Sequence, residues 1–514
     1  MIRHIFTVST GTLASRLLGF ARDALMAALL GAGPVADAFL AAFQLVHVAR
    51  RLLTEGALNA ALVPAYWRVH DRDSVAAAAA FAGRVLGTVS LAVFAAAALV
   101  GLLMPLVIAA LAPGFVGQST FLLAIGDARL MLPYLAFAGP VTVMMALLNA
   151  HHRFALTAFS PLLFNIALIA AIVALLMFPR EPAVAALLMS ATVGLAGLLQ
   201  LLVLATQRSG IATPIRIKFD REMRGFLSSA IPGMIASASP QLMIVGAAAI
   251  ASASPATISW LYFANRLIDL PLGIVGVAMG TVLVPELTRA ARDNDTAFAQ
   301  AAARGLELSI GLALPATLGL MLLSEPIVRL LFEHGAFTAA DTRATALALT
   351  WLALGLPAHV LTKALSPAFF ARGDTKTPML AALAALAVTV AAALVLNRSH
   401  GVAGIAAAVA LGAWAGALLL LICAKIRFGL ALEPAIRARL WRIVLAALAM
   451  GGPLWLAARG LAPWLDGGHR LIVAIVLAGL IAAGIAVYAA GLALLGVVRP
   501  RDVIHALRKP DLHA

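Results

Sequence analysis

The residues that could do chemistry in this sequence are charged side chains set in apolar surroundings. Arg16, Arg22, Asp23, Asp37, Arg50, Arg51 and Glu55 fall between positions 16 and 55, and Arg266 with Asp269 forms a second group. A charge at the centre of a bilayer costs about 2.5–3.5 kcal/mol even on the lenient insertion scale, so such residues face a protein interior or a watery cavity and mark a substrate path. On a helix at about 100° per residue, Asp37, Gln44, Arg51 and Glu55 form one stripe. Arg51 and Glu55 can pair at i,i+4. Arg50 lies one step round with His47 and Thr54, so either arginine of the pair could face a shared cavity. Ser15 and Arg22 share a stripe, and Arg16 and Asp23 share another. Arg266 and Asp269 are i,i+3 neighbours, with Tyr262 one turn earlier. The planar fork of arginine binds phosphate bidentately. Arg22, Arg50 and Arg266 around one cavity would therefore suit an anionic substrate. Arg51 with Glu55, and Arg266 with Asp269, could equally be ion pairs that pin helices.

Other chemistry is poorly represented. There is no nucleophile elbow, no paired acid and base in a loop and no Walker motif. The histidines show no ligand spacing, and the single cysteine, Cys423, sits in an apolar run. No metal or cofactor is expected, and the chain reads as a transporter rather than an enzyme.

The elements that must hold these charges follow from composition. The 514 residues are 63% hydrophobic and 11% charged, with a mean hydropathy of +1.01. Soluble domains run near 45–50% apolar and about 25% charged. A soluble enzyme and a disordered chain are both excluded, and no alternating ten-residue strands suggest a β-barrel. What remains is an all-α polytopic membrane protein. Apolar runs of about 20 residues give fourteen transmembrane helices: 7–31, 36–63, 85–111, 127–150, 157–178, 183–206, 226–250, 257–284, 305–324, 344–369, 377–396, 401–424, 443–459 and 471–497. The first run carries Arg16, Arg22 and Asp23 and lacks a small-residue cleavage site, so it reads as a retained span.

The basic residues set the orientation. On alternate sides of these spans lie 24 and six Lys and Arg, and seven are inside spans. Basic loops favour the cytoplasm, which places both termini there. This also accounts for most of the net charge of +15. Contact with membrane lipids is expected from it; nucleic-acid binding is not needed to explain it.

The chain also repeats. Ala61-Leu62-Val63-Pro64 recurs as Val282-Leu283-Val284-Pro285, and Pro161 opens a span as Pro378 does. The offsets predict two six-helix lobes around a central cavity plus two extra helices. The divisions are an N-terminal lobe at 1–206, a cytoplasmic linker at 207–225, a C-terminal lobe at 226–424, a second cytoplasmic linker at 425–442, and the last two spans with a basic tail at 443–514. Parallel repeats of this kind place the substrate site at the lobe interface.

These residues also carry a resemblance. Ser15-Arg16-Leu17-Leu18-Gly19-Phe20-Ala21-Arg22-Asp23 continues through Gly31-Ala32-Gly33, Asp37-Ala38-Phe39, Arg50-Arg51, Glu55-Gly56-Ala57 and Val63-Pro64. Tyr262-Phe263-Ala264-Asn265-Arg266-Leu267, Gly335-Ala336-Phe337-Thr338 and Pro367-Ala368-Phe369-Phe370-Ala371-Arg372 follow, with Lys376-Thr377-Pro378. In these stretches the chain resembles the MurJ/MviN lipid II flippases of bacterial peptidoglycan synthesis. The resemblance implies the fold of the multidrug/oligosaccharidyl-lipid/polysaccharide exporter superfamily, in the bacterial inner membrane. It implies transfer of lipid II, the undecaprenyl-pyrophosphate-linked disaccharide-pentapeptide, from the inner to the outer leaflet, with cell-wall synthases as possible partners. It gives Arg22, Arg50 and Arg266 the anionic head group, matches Arg16, Asp23, Asp37 and Glu55 to further polar positions of the family pattern, and gives the last two spans the lipid tail. Gln44 stands where a common family pattern has Lys, and Asn265 where it has an acidic residue. No carboxylate lies between Glu222 and Asp269, so a sodium site there would lack an obvious anionic ligand.

The expected mechanism is alternating access. The pyrophosphate meets the arginines, the tail stays in lipid, and Asp23, Asp37 or Asp269 competes for the arginines at release. The rivals are a flippase for another polyprenyl-linked oligosaccharide, a multidrug exporter, and a non-transporting scaffold of the cell-wall machinery. A cationic cavity argues against export of organic cations.

Overall fold

A computed structural model describes residues 2–54, 57–151, 153–206, 212–279, 283, 286–287, 289–290, 295–430, 434–467 and 469–497. Among the described residues the regular structure is helical throughout, with no strand. The chain divides into two compact units, Met1–Phe263 with Phe332–Asp341, and Ala264–Leu331 with Thr342–Ala514.

The first unit holds α1 (Ile2–Leu30), α2 (Pro34–Thr54), α3 (Ala57–Arg72), α4 (Val75–Leu102), α5 (Met104–Leu111), α6 (Ser119–Ala150), α7 (Phe154–Met177), α8 (Pro182–Ala205), α9 (Arg221–Ala251) and the start of α10 (Thr257–Ala278). Helix α6 packs against α2, α4 and α8, and α1 packs against α7. Leu62 and Tyr66 of α3, Phe81 and Val85 of α4, and Met144, Leu147 and Leu148 of α6 form one buried apolar cluster. Ser74 starts α4 by accepting the Ala77 N–H on its side chain at 3.1 Å, which satisfies one of the free donors of the first turn.

The second unit holds the rest of α10, then α11 (Asp295–Leu322), α12 (Ser324–Phe332, whose last residue belongs to the first unit), α13 (Ala339–Ala353, whose first three residues belong to the first unit), α14 (Leu356–Ala371), α15 (Lys376–Phe428), α16 (Pro434–Gly460), α17 (Ala462–Gly467) and α18 (Arg470–Leu494). Helix α11 packs against α14 and α16, and α16 packs against α18. Helix α15 is two spans in sequence. At Gly401 the backbone takes φ 53°, ψ −131°, a conformation that favours glycine, and the helical pattern breaks there.

All fourteen expected segments fall on helices. Among the described residues, eight helices are long and apolar enough to cross a membrane, α15 among them, and the pair α13 and α14, bent by 44°, makes up to nine. Helices α1, α2, α9 and α10, which carry the charged and hydroxyl residues of interest, cover the other four expected segments. Besides the segment at 344–369, shared by α13 and α14, two expected segments are divided. The segment at 36–63 is shared by α2 and α3, and that at 85–111 by α4 and α5.

Small residues let the two arms of α15 touch. A Cβ on Gly412 would stand 1.9 Å from Thr389 Oγ1 and 2.5 Å from the Ala385 carbonyl oxygen. In lipid, where apolar burial gives little drive, such close backbone approach is a main source of helix association. Gly412→Val should therefore lower the thermal midpoint of the purified protein, at an overpacking cost of about 1–3 kcal/mol. Gly452→Ala, with nothing within 4 Å of the new Cβ, should leave it unchanged or raise it.

Candidate functional site

The charged residues of α1 are held in a network inside the first unit. Arg22 is 3% exposed and Asp23 is 0% exposed. The guanidinium donates to Asp23 Oδ1 from Nε at 2.9 Å and from Nη2 at 2.6 Å. Nη1 donates to Asn165 Oδ1 at 3.1 Å. Asn165 in turn donates from Nδ2 to the Ser15 carbonyl at 3.1 Å, which ties α7 to the preceding turns of α1. The Tyr262 hydroxyl of α10 donates to Asp23 Oδ1 at 3.2 Å. The Arg22 guanidinium carbon lies 5.4 Å from the Phe43 ring and 5.5 Å from the Phe164 ring, and the two rings stack on each other with centroids 6.2 Å apart. Both rings offer their negative faces to the cation. Arg22 and Asp23 were expected on different stripes. A long arginine side chain can curl back to a neighbouring carboxylate, and in a buried setting the ion pair decides its direction.

Asp37 is used differently from the expectation that it competes for arginines. It is 1% exposed and accepts the Ser259 backbone N–H at 2.9 Å and the Ser259 hydroxyl at 2.5 Å. It thereby satisfies a free donor in the first turn of α10, as a capping carboxylate does. The same end of the unit is fastened elsewhere. The Ala336 N–H donates to the Ala28 carbonyl at 2.9 Å, and Trp260 Nε1 donates to Asp341 Oδ1 at 3.0 Å. Phe332 lies against Phe20 and Phe263, with ring centroids 5.8 and 5.1 Å away. Together these contacts latch α1 and α2 to the start of α10 and to the segment 332–341.

The remaining candidates are placed less closely. Arg16 is exposed and Arg50 is half-buried. Gln44, on the Asp37 face of α2, is 6% exposed, and its Oε1 makes no hydrogen bond among the described residues. Arg51 lies on α2 with its side chain outside the described residues, as is Glu55 altogether, so their i,i+4 pairing falls outside what is described. Arg266 and Asp269 belong to the second unit, where Arg266 Nη1 stands 4.0 Å from Asp269 Oδ2 and both are half-buried. This is the i,i+3 geometry expected from their spacing.

Asn165, Ser259 and Trp260 were not singled out as site residues. Asn165 had a readable signal, because it is a lone amide in the apolar run Ser160–Met177. Ser259 had none, since its role depends on where Asp37 comes to lie. Among the described residues no cluster of three or more His, Cys, Asp or Glu could hold a metal. The second unit contains an apolar groove of about 680 Å³, lined by Leu314, Trp351, Leu411, Trp414, Val444 and Leu448 among others. Helix α16 forms one wall of it, and α18 contributes no residue.

Known proteins match this arrangement over almost its whole length. The family model for the lipid II flippase MurJ matches residues 26–475. A probable lipid II flippase MurJ from Rhizobium meliloti is 39% identical over 500 residues, covering 95% of this chain and 92% of the relative. The lipid II flippase MurJ from Burkholderia cenocepacia is 33% identical over 436 residues, covering 82% of this chain and 83% of the relative. A solved lipid II flippase MurJ in an inward closed conformation superposes with a TM-score of 0.78 at 25% identity, covering 97% of this chain and 99% of that one. An inward-facing multidrug transporter of the MATE family shares the fold, with a TM-score of 0.67 at 15% identity over 84% of this chain and 99% of its own. The expected all-α polytopic architecture and the family resemblance are both borne out, and the chain belongs to the lipid II flippase MurJ family.

Proposed function

We propose that this protein carries lipid II from the inner to the outer leaflet of the bacterial inner membrane by alternating access, without catalysing a reaction. The observation that carries the reading is the family match over residues 26–475, which joins a chain whose charges are concentrated inside apolar helices. The 24-to-six division of basic residues supports cytoplasmic termini. The sequence repeat supports two lobes, spans 1–6 and 7–12, with the substrate between them. The apolar groove walled by α16 supports the thirteenth span, 443–459, as part of a tail-binding region that the family resemblance extends to 443–497. Cell-wall synthases that consume lipid II at the outer leaflet are its expected partners.

The head group is recognised by Arg22, Arg50 and Arg266. In the conformation described here Arg22 is neutralised by Asp23 and screened from solvent. A pyrophosphate would have to displace Asp23, and Asp23 would reclaim Arg22 when the substrate leaves. This exchange keeps the guanidinium paired at every stage, which avoids a bare charge in a low-dielectric site. The Asp37 latch must open on the same cycle, because it ties α2 to the start of α10.

Lipid II transfer in reconstituted vesicles should fall in Arg22→Ala, Arg50→Ala and Arg266→Ala. Full activity in all three would overturn the head-group assignment. Because Arg22 is paired, stability must be measured beside transport. Asp23→Ala alone should destabilise the protein by about 3–5 kcal/mol, the cost of leaving a buried partner charge. The double variant Arg22→Ala/Asp23→Ala should lose less stability than Asp23→Ala while still failing to transport.

Asp37→Ala removes an acceptor whose loss at a helix start costs about 0.5–2 kcal/mol. Amide hydrogen exchange should then speed up in residues 257–263 and 333–341 and stay unchanged in α8. Equal protection in the variant and the parent would rule out the latch.

A further inference from the structure

Residues 213–219, between α8 and α9, are extended and lie on α4. The Thr213 N–H donates to the Ala79 carbonyl at 3.2 Å and the Arg216 N–H to the Gly83 carbonyl at 3.4 Å. The Lys218 N–H donates to the Thr88 hydroxyl at 3.3 Å. Two glycines on α4 make room for this backbone. A Cβ on Gly83 would stand 2.2 Å from the Pro214 carbonyl oxygen, and one on Gly87 would stand 2.6 Å from that of Arg216. Ion pairs clamp the end of the segment: Arg84 reaches Asp220 at 3.1 Å and Glu222 at 2.8 Å, and Arg72 reaches Glu222 at 2.6 Å. The acidic residues here are thus already occupied by Arg84 and Arg72.

What the segment presents outward is unusual for a polar connection. Ile217 and Phe219 are 63% and 62% exposed, and Ile215, whose Cγ2 lies against Gly87 of α4, is still 47% exposed. Arg216 and Lys218 alternate with them and are exposed too, and among the described residues neither is in an ion pair. In extended chain the alternate side chains take opposite sides, and the long stems of Arg and Lys can still reach a head group.

The face of α4 beneath the segment shows what the outward edge meets. At about 100° per residue, Gly83, Gly87, Leu91 and Phe94 share one stripe. Leu91, Phe94 and, further along, Leu102 are exposed on a helix apolar enough to span the membrane. This stripe faces lipid, and the segment covers its charged end. Thr88 lies one turn beyond Arg84, the charged residue of α4, so Lys218 sits at the polar end of the apolar stretch that runs on to Leu102.

We propose that residues 213–219 form an inner-leaflet anchor that binds anionic phospholipid. Ile215, Ile217 and Phe219 enter the acyl boundary, and Arg216 and Lys218 bind the phosphates, a combination that holds interfacial segments to anionic membranes. The leaflet rests on the cytoplasmic orientation proposed above; the bilayer contact does not.

The test uses the full chain with Cys423→Ser and Ile217→Cys, spin-labelled at the new cysteine, in nanodiscs of phosphatidylcholine with and without phosphatidylglycerol. The label should be accessible to oxygen and shielded from a water-soluble nickel chelate, and phosphatidylglycerol should immobilise it further. Arg216→Glu with Lys218→Glu should weaken the apparent affinity for phosphatidylglycerol by roughly fivefold per basic residue. A label open to water in both bilayers would overturn the anchor and leave the row to a soluble protein partner. A phosphatidylglycerol response that survives charge reversal would overturn lipid recognition. Asp71→Cys, exposed nearby, reports the side separately: an impermeant maleimide should reach it only from the cytoplasm. Labelling from outside would overturn the leaflet and the orientation while leaving the bilayer contact to be judged by the spin label.

Discussion

A guanidinium inside a membrane-spanning bundle must bring its own counter-ion, and the first unit is organised round that constraint. Arg22 cannot be left bare at an insertion cost of several kcal/mol, so Asp23 lies against it and Asn165 takes a further N–H. The stacked rings of Phe43 and Phe164 lie beside it. Asp23 is on α1 itself, Phe43 on α2, Asn165 and Phe164 on α7 and Tyr262 on α10, and each of these helices is therefore fixed in rotation. Helix α7 must present Asn165, α2 must present Phe43, and α10 must bring the Tyr262 hydroxyl to the Asp23 carboxylate.

That arrangement also suggests how one protein can bind an anion and release it. A site of free arginines would hold pyrophosphate too well and would be costly when empty. An arginine with a resident carboxylate exchanges one anion for another, so the difference in energy between loaded and empty states stays small. The Asp37 contact follows the same economy in a different way. It gives a helix start the acceptor it needs, and a contact made of two hydrogen bonds can break and re-form without unfolding either helix.

The same rule operates where the chain leaves the membrane. Arg84 and Arg72 share Asp220 and Glu222, which fastens the connecting segment to α4. In the second unit, Asp374 caps the next helix. Burial would raise its carboxyl, but the Thr377 hydroxyl and N–H and the Arg427 guanidinium more than offset this and hold it below the ordinary carboxylate range. Paired charges fix the ends of helices, and the unpaired ones, such as Arg216 and Lys218, are left for lipid.

Much was legible in the sequence, for a physical reason. A bilayer imposes length, apolarity and charge asymmetry on each span independently, so fourteen segments could be placed on helices without knowing how they pack. The i,i+3 relation of Arg266 and Asp269 was legible as well, because it depends only on helical pitch. The Ser15–Asp23 stretch was enough for the family. Tertiary structure alone decided the partners. Nothing local says that Arg22 turns to its own neighbour, that Asp37 serves Ser259 some 222 positions away, or that Gly83 and Gly87 exist to admit a connecting strand. Those outcomes depend on which helices meet and at what rotation, and that is set by the packing of the whole unit, not by any one span.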